Sequence, residues 1–109
     1  MTMPWAWLLM AGVCEVLWAV GLKRYGFTLS VGGAFTVVMM LMSFLLLQQA
    51  MKSLPLGTSY AVWTGIGAVG TASWGITALG EPRTPTRIAC LLLIIIGIVG
   101  LKLVTPQNS

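Results

Sequence analysis

The chain has 109 residues, 58% of them hydrophobic and 7% charged, with a formal net charge of +4 and a mean hydropathy of +0.96. A soluble domain carries about a quarter charged residues; six basic and two acidic side chains cannot cover a water-facing surface, so lipid is the main solvent and no separate soluble module fits. The excess of positive charge does not indicate nucleic acid, because Lys23, Arg24, Lys52, Arg83, Arg87 and Lys102 each stand near the end of an apolar run and form no face that tracks phosphates.

Four apolar runs follow one another: Pro4–Leu22, Val31–Met51, Gly57–Leu79 and Arg87–Val104. Each is long enough to cross a hydrocarbon core about 30 Å thick as a helix. The breaks between them hold Pro, Gly or charge, as turns between packed helices do. No two-residue alternation supports a β-barrel. The expectation is an all-α membrane protein, a single domain over 1–109 with four transmembrane helices.

The first run has no basic stretch before it and is expected to be a retained span and not a cleaved signal. It carries Glu15, one of the chain's two acids, about 16 Å along a helix begun at Pro4. A carboxylate near the membrane centre costs roughly 2.5–3.5 kcal/mol on insertion scales, which marks it as functional. Leu8, Ala11, Glu15, Trp18, Ala19 and Leu22 share a stripe, and Gly12 and Gly21 let another helix approach. Trp18 lies too deep for the interfacial belt, whereas Trp5 and Trp7 belong to it.

The second run is rich in Met, read as adaptable packing, and has one mid-span hydroxyl, Ser43. Two uses are open to it: a bond to the carbonyl one turn back, or an indirect contact that supports Glu15 at similar depth. In the third run Tyr60, Trp63, Thr64, Gly67, Thr71 and Trp74 share a face that should avoid lipid. Its Gly65–Gly70 segment, GIGAVG, matches a dinucleotide-binding pattern by chance, since no strand precedes it; close packing or a bend explains the glycines better. In the fourth run Cys90, Leu93, Gly97, Gly100 and Val104 form a seam that suits either a second copy or helices of the same chain. Glu81, in the loop before it, is expected to pair with Arg83 or Arg87 or to cap a helix.

Cys14 and Cys90 lie inside apolar runs and give neither a disulfide framework nor a metal set, and there is no His; no cofactor or metal is expected. Loops one and three carry Lys23, Arg24, Arg83 and Arg87, against Lys52 and Lys102 on the other side. That bias, partly offset by Glu81, specifies orientation poorly and permits insertion both ways.

The chemistry centres on Glu15. Once ionised it needs a positive partner, and no Lys or Arg shares its depth, so a proton and a cation from outside compete for it. Trp18, Trp63 and Tyr60 suit a cation held beside aromatic faces, and the Tyr60 hydroxyl is placed to orient the carboxylate. No nucleophile–base pair exists for an enzyme.

The segments AGVCEVLWAVGLK, KSLPLGTSYAVWTGIGAVG, GEP and IIGIVGLK, in this order and spacing, resemble the small multidrug resistance transporters over nearly the whole chain. The E-V-x-W-A-x-G-L-K and Y-A-x-W-T-G-I-G runs resemble the guanidinium exporter branch; the drug-exporting branch typically lacks a Trp at the place of Trp18. The resemblance implies a dual-topology, antiparallel homodimer that exchanges guanidinium-type cations for protons across the bacterial inner membrane, driven by the proton gradient. It places the central acid at Glu15, its neighbours at Gly12, Trp18, Ser43, Tyr60 and Trp63, and flexible hinge glycines at Gly65 and Gly67. The first loop, KRYGFT, is a residue short of the family's pattern, and Cys14 stands where a larger apolar residue is commoner. Two other readings stay open: an exporter of quaternary ammonium or lipophilic cationic drugs, and a small structural or pore-forming membrane subunit.

Overall fold

A computed structural model describes residues 3–105. It contains four helices: α1 Met3–Tyr25, α2 Val31–Met51, α3 Leu56–Ala78 and α4 Pro85–Val104. Three of them, α1, α2 and α4, are long and apolar enough to cross a membrane. The fourth, α3, has 23 residues; its glycines and hydroxyl side chains make it the least lipid-like of the set.

Local chemistry sets the ends. α1 runs on through Lys23, Arg24 and Tyr25, basic residues that suit a helix C-terminus. Gly26 then takes a left-handed φ of 68°, and its N–H returns to the Leu22 carbonyl at 2.9 Å. Ser30 caps α2 by accepting from the Gly33 N–H at 3.1 Å. Thr84 caps α4 in the same way, accepting from the Arg87 N–H at 3.2 Å, with Pro85 opening the helix. At the end of α3 the Leu79 and Glu81 N–H groups both return to the Gly75 carbonyl, at 3.0 and 3.1 Å.

α1 lies between α2 and α3, and α4 rests along the outer flank of α3. Buried Trp5, Leu8, Ala11, Leu47, Ala50, Leu54, Val62 and Trp63 form one core shared by the first three helices and the second loop. Small residues set the helix spacing. A Cβ on Gly12 would collide with Ile66, one on Gly21 with Thr36, and one on Gly70 with Val16. α4 has no buried residue. The bundle measures 41 × 36 × 17 Å, about one and a half helix diameters of about 10–12 Å in its thinnest direction.

Candidate functional site

Glu15 sits mid-way along α1, half-buried, with its carboxyl against Gly67 of α3; a Cβ at Gly67 would occupy the same space. Its Oε1 is buried and accepts no hydrogen bond. Among the described residues the one ion pair joins Arg87 to Glu81 at 2.8 Å, so no basic side chain neutralises Glu15. One turn along α1 the indole Nε1 of Trp18 is likewise buried and donates to nothing. A buried acceptor and a buried donor, both unsatisfied and one turn apart, are what a binding site for a polar ligand leaves in the protein alone.

Ser43 is fully buried and does not bond the carbonyl one turn back on its own helix. Its Oγ reaches across to α1 and donates to the Ala11 carbonyl at 2.7 Å. That carbonyl is also the intrahelical acceptor for the backbone N–H of Glu15. Trp63 of α3 donates from Nε1 to the same Ser43 Oγ at 2.9 Å. Three helices thus meet at one hydroxyl, directly beneath the turn that carries the acid. The hydroxyl is drawn across because there it both donates, to the Ala11 carbonyl, and accepts, from the buried indole N–H, whereas the carbonyl one turn back on its own helix could only accept from it.

The aromatic side chains form a continuous wall beside this network. Trp18 meets Phe44 edge-on at 6.4 Å, Phe44 meets Trp63 at 5.7 Å, and Trp63 meets Tyr60 at 5.5 Å between ring centres. Tyr60 is 54% exposed and makes no hydrogen bond to Glu15. The acid packs at Gly67, seven residues along α3 and about 10 Å from Tyr60, so the expected orienting bond does not form. Phe44 was not singled out from the sequence; a phenylalanine in an apolar run carries no signal until the neighbouring rings are placed.

Several of the other small and hydroxyl residues have structural partners, although the fully buried Ser59 Oγ of α3 has no hydrogen-bond partner. Gly65 faces Ile98 and Ile94 of α4, and Gly12 of α1 faces Ile66. The Thr64 and Thr71 hydroxyls donate to carbonyls of their own helix, at 2.9 Å to Tyr60 and 2.7 Å to Gly67. α3 runs unbroken through Gly65 and Gly67. On α4, Cys90 and Leu93 are exposed, and a Cβ on Gly97 or Gly100 would meet nothing within 4 Å. Glu81 pairs with Arg87, one of the two basic residues considered for it. No group of His, Cys, Asp and Glu able to hold a metal occurs among the described residues.

Residues 3–94 match the family model described as Small Multidrug Resistance protein. The chain belongs to this family. A relative named guanidinium exporter from Escherichia coli (strain K12) is 57% identical over 104 residues, covering 94% of this chain and 99% of that protein. Relatives of the same name from Citrobacter freundii and Salmonella typhimurium are 53% identical over the same length and shares. Membership of this family and the apolar helices identify a transporter that passes the membrane several times.

Proposed function

We propose that the chain exports guanidinium and small substituted guanidinium ions in exchange for protons, with Glu15 as the site that both ions share. The observation that carries the reading is the Glu15 side chain, whose buried Oε1 accepts no hydrogen bond and faces no basic residue among those described. Such an acid must take its positive charge from a ligand or from a proton, and one carboxylate cannot hold both. The guanidinium cargo comes from the name its relatives bear.

The chemistry of the cargo suits the site. A planar guanidinium presents paired N–H groups to the two oxygens of a carboxylate. Trp18, Phe44, Trp63 and Tyr60 supply the aromatic faces beside which such a cation is held. Ser43 and Trp63 position the backbone of the acid's own turn, and Gly12 gives α3 its close approach to α1.

Glu15 is half-buried in a bundle 17 Å across in its thinnest direction. We propose that two copies pair head to tail in the bacterial inner membrane, so that both Glu15 side chains face one cavity open to one side at a time. Antiparallel pairing makes the inward-open and outward-open forms equivalent. Cys90, Leu93, Gly97 and Gly100 form the α4 seam of the pair, and α3 flexes at Gly65 and Gly67 as the cavity switches. The proton gradient supplies the energy, and neither a bound cofactor nor an enzymatic step is involved.

The test is guanidinium uptake into liposomes carrying a pH gradient, comparing wild type with Glu15→Gln. The variant is nearly isosteric and should fold, yet lose gradient-driven uptake. Undiminished coupled uptake by Glu15→Gln would refute the assignment.

A further inference from the structure

The chain's two acids rest on the same stripe of α3. Gly67, Thr71 and Gly75 succeed one another at steps of four. The Glu15 carboxyl occupies the place a Cβ on Gly67 would take, and the Glu81 carboxyl the place of one on Gly75. The two seats are about 12 Å apart along the helix axis. A cavity of about 290 Å³ lies beside this stripe, lined among others by Ala19, Lys23, Thr71, Trp74, Glu81 and Arg87. Ala19 is one turn beyond Glu15 on α1, and Thr71 one turn beyond Gly67 on α3. The cavity therefore begins a turn away from Glu15 and ends at Glu81, at the end of the bundle formed by loops one and three.

We propose that Glu81 is a second binding site for a guanidinium-type cation, at the mouth of a path to Glu15, and that Arg87 occupies it at rest. The inference depends on the reading of the chain as a guanidinium exporter. Arg87 Nη2 lies 2.8 Å from Glu81 Oε1, so this carboxylate already holds the functional group of the cargo. It holds it from a fixed position, with the side chain seated on Gly75 and the Glu81 N–H bonded to the Gly75 carbonyl. The two side chains are 37% and 36% exposed; an ion pair so open to solvent is weak, and a free guanidinium can displace its basic member. Lys23 and Arg87 together outweigh Glu81 in the cavity by one positive charge. A further cation thus enters by exchange with Arg87 and not beside it. Arg87 stands in the first turn of α4, so its release frees that end of α4 from the end of α3.

The experiment measures initial rates of guanidinium uptake against guanidinium concentration in proteoliposomes. Arg87→Gln removes the resident competitor and should lower KM by about threefold, the size a solvent-exposed ion pair allows. Glu81→Gln should raise KM by about as much. The double variant should behave as Glu81→Gln alone, because without the carboxylate there is nothing to compete for. If Arg87→Gln fails to fold, Arg87→Lys keeps the charge, drops the planar fork and should shift KM in the same direction. Binding gives a separate readout in a Glu15→Gln background: guanidinium should still raise the melting temperature with Arg87→Gln added, and should not with Glu81→Gln added. Shifts of KM in one common direction, or none, overturn the second site and leave the primary reading standing. Absence of guanidinium uptake by wild type overturns both.

Discussion

Trp63 Nε1 donates to Ser43 Oγ across 2.9 Å, and both groups are buried. Ser43 passes the contact on to the Ala11 carbonyl, so a polar chain runs from α3 through α2 to the turn of α1 that bears Glu15.

Ser43→Ala should be costly because it strands the indole N–H and removes the α1 contact together. Leaving a buried donor unsatisfied costs about 1–3 kcal/mol. Thermal unfolding in detergent should show the loss. Trp63→Phe removes the donor as well, and the double variant should fall short of the summed single losses by about 0.5–3 kcal/mol, the range for directly bonded pairs. Strict additivity would separate the two side chains energetically.

Gly67→Ala places a methyl group where the Glu15 carboxyl now lies. Overpacking of this kind costs typically about 1–3 kcal/mol. We expect a lower melting temperature and a loss of uptake together, with Glu15→Gln giving the second effect without the first. A fully active Gly67→Ala protein would mean that α1 and α3 separate easily at this level.

Gly97→Leu tests the outer face of α4. A Cβ at Gly97 meets no atom within 4 Å, so the substitution should leave the fold of one copy intact. If the α4 seam holds two copies together, the variant should shift from dimer to monomer in detergent at unchanged helical content. Retention of the dimer would move the interface elsewhere.

Thr84→Ala removes the side-chain acceptor for the Arg87 N–H at the start of α4. Loss of such a cap costs about 0.5–2 kcal/mol, and Thr84→Ser should restore most of it. Hydrogen exchange at Arg87 should quicken selectively in the Ala variant.

Much of this architecture is legible in the residues alone. The apolar runs and their Gly, Pro and charged breaks locate the helices, because membrane spans are specified by composition over a length. Ends are less legible: α1 continues through Lys23 and Arg24 since long basic side chains suit a helix C-terminus, and α4 starts at Pro85 because Thr84 caps it. Glu15 stands out because a charge amid hydrocarbon is expensive wherever its helix turns. The destination of the Ser43 hydroxyl was hidden, since it depends on how α1, α2 and α3 are rotated about one another. Phe44 was hidden for the opposite reason, being an ordinary apolar residue whose rings-in-line placement exists only in three dimensions. The glycines of α3 signalled close approach but not what approaches, and two of them receive carboxylates.

The buried core belongs to α1, α2 and α3, while α4 lies on the flank of α3 with no buried residue of its own. If the transport cavity is built by two copies, as proposed, a freshly inserted single copy lacks part of its walls, and the membrane's stored voltage is safe from it. Leakage would then become conceivable only after assembly, when the conduit and its means of closure come into being at the same moment.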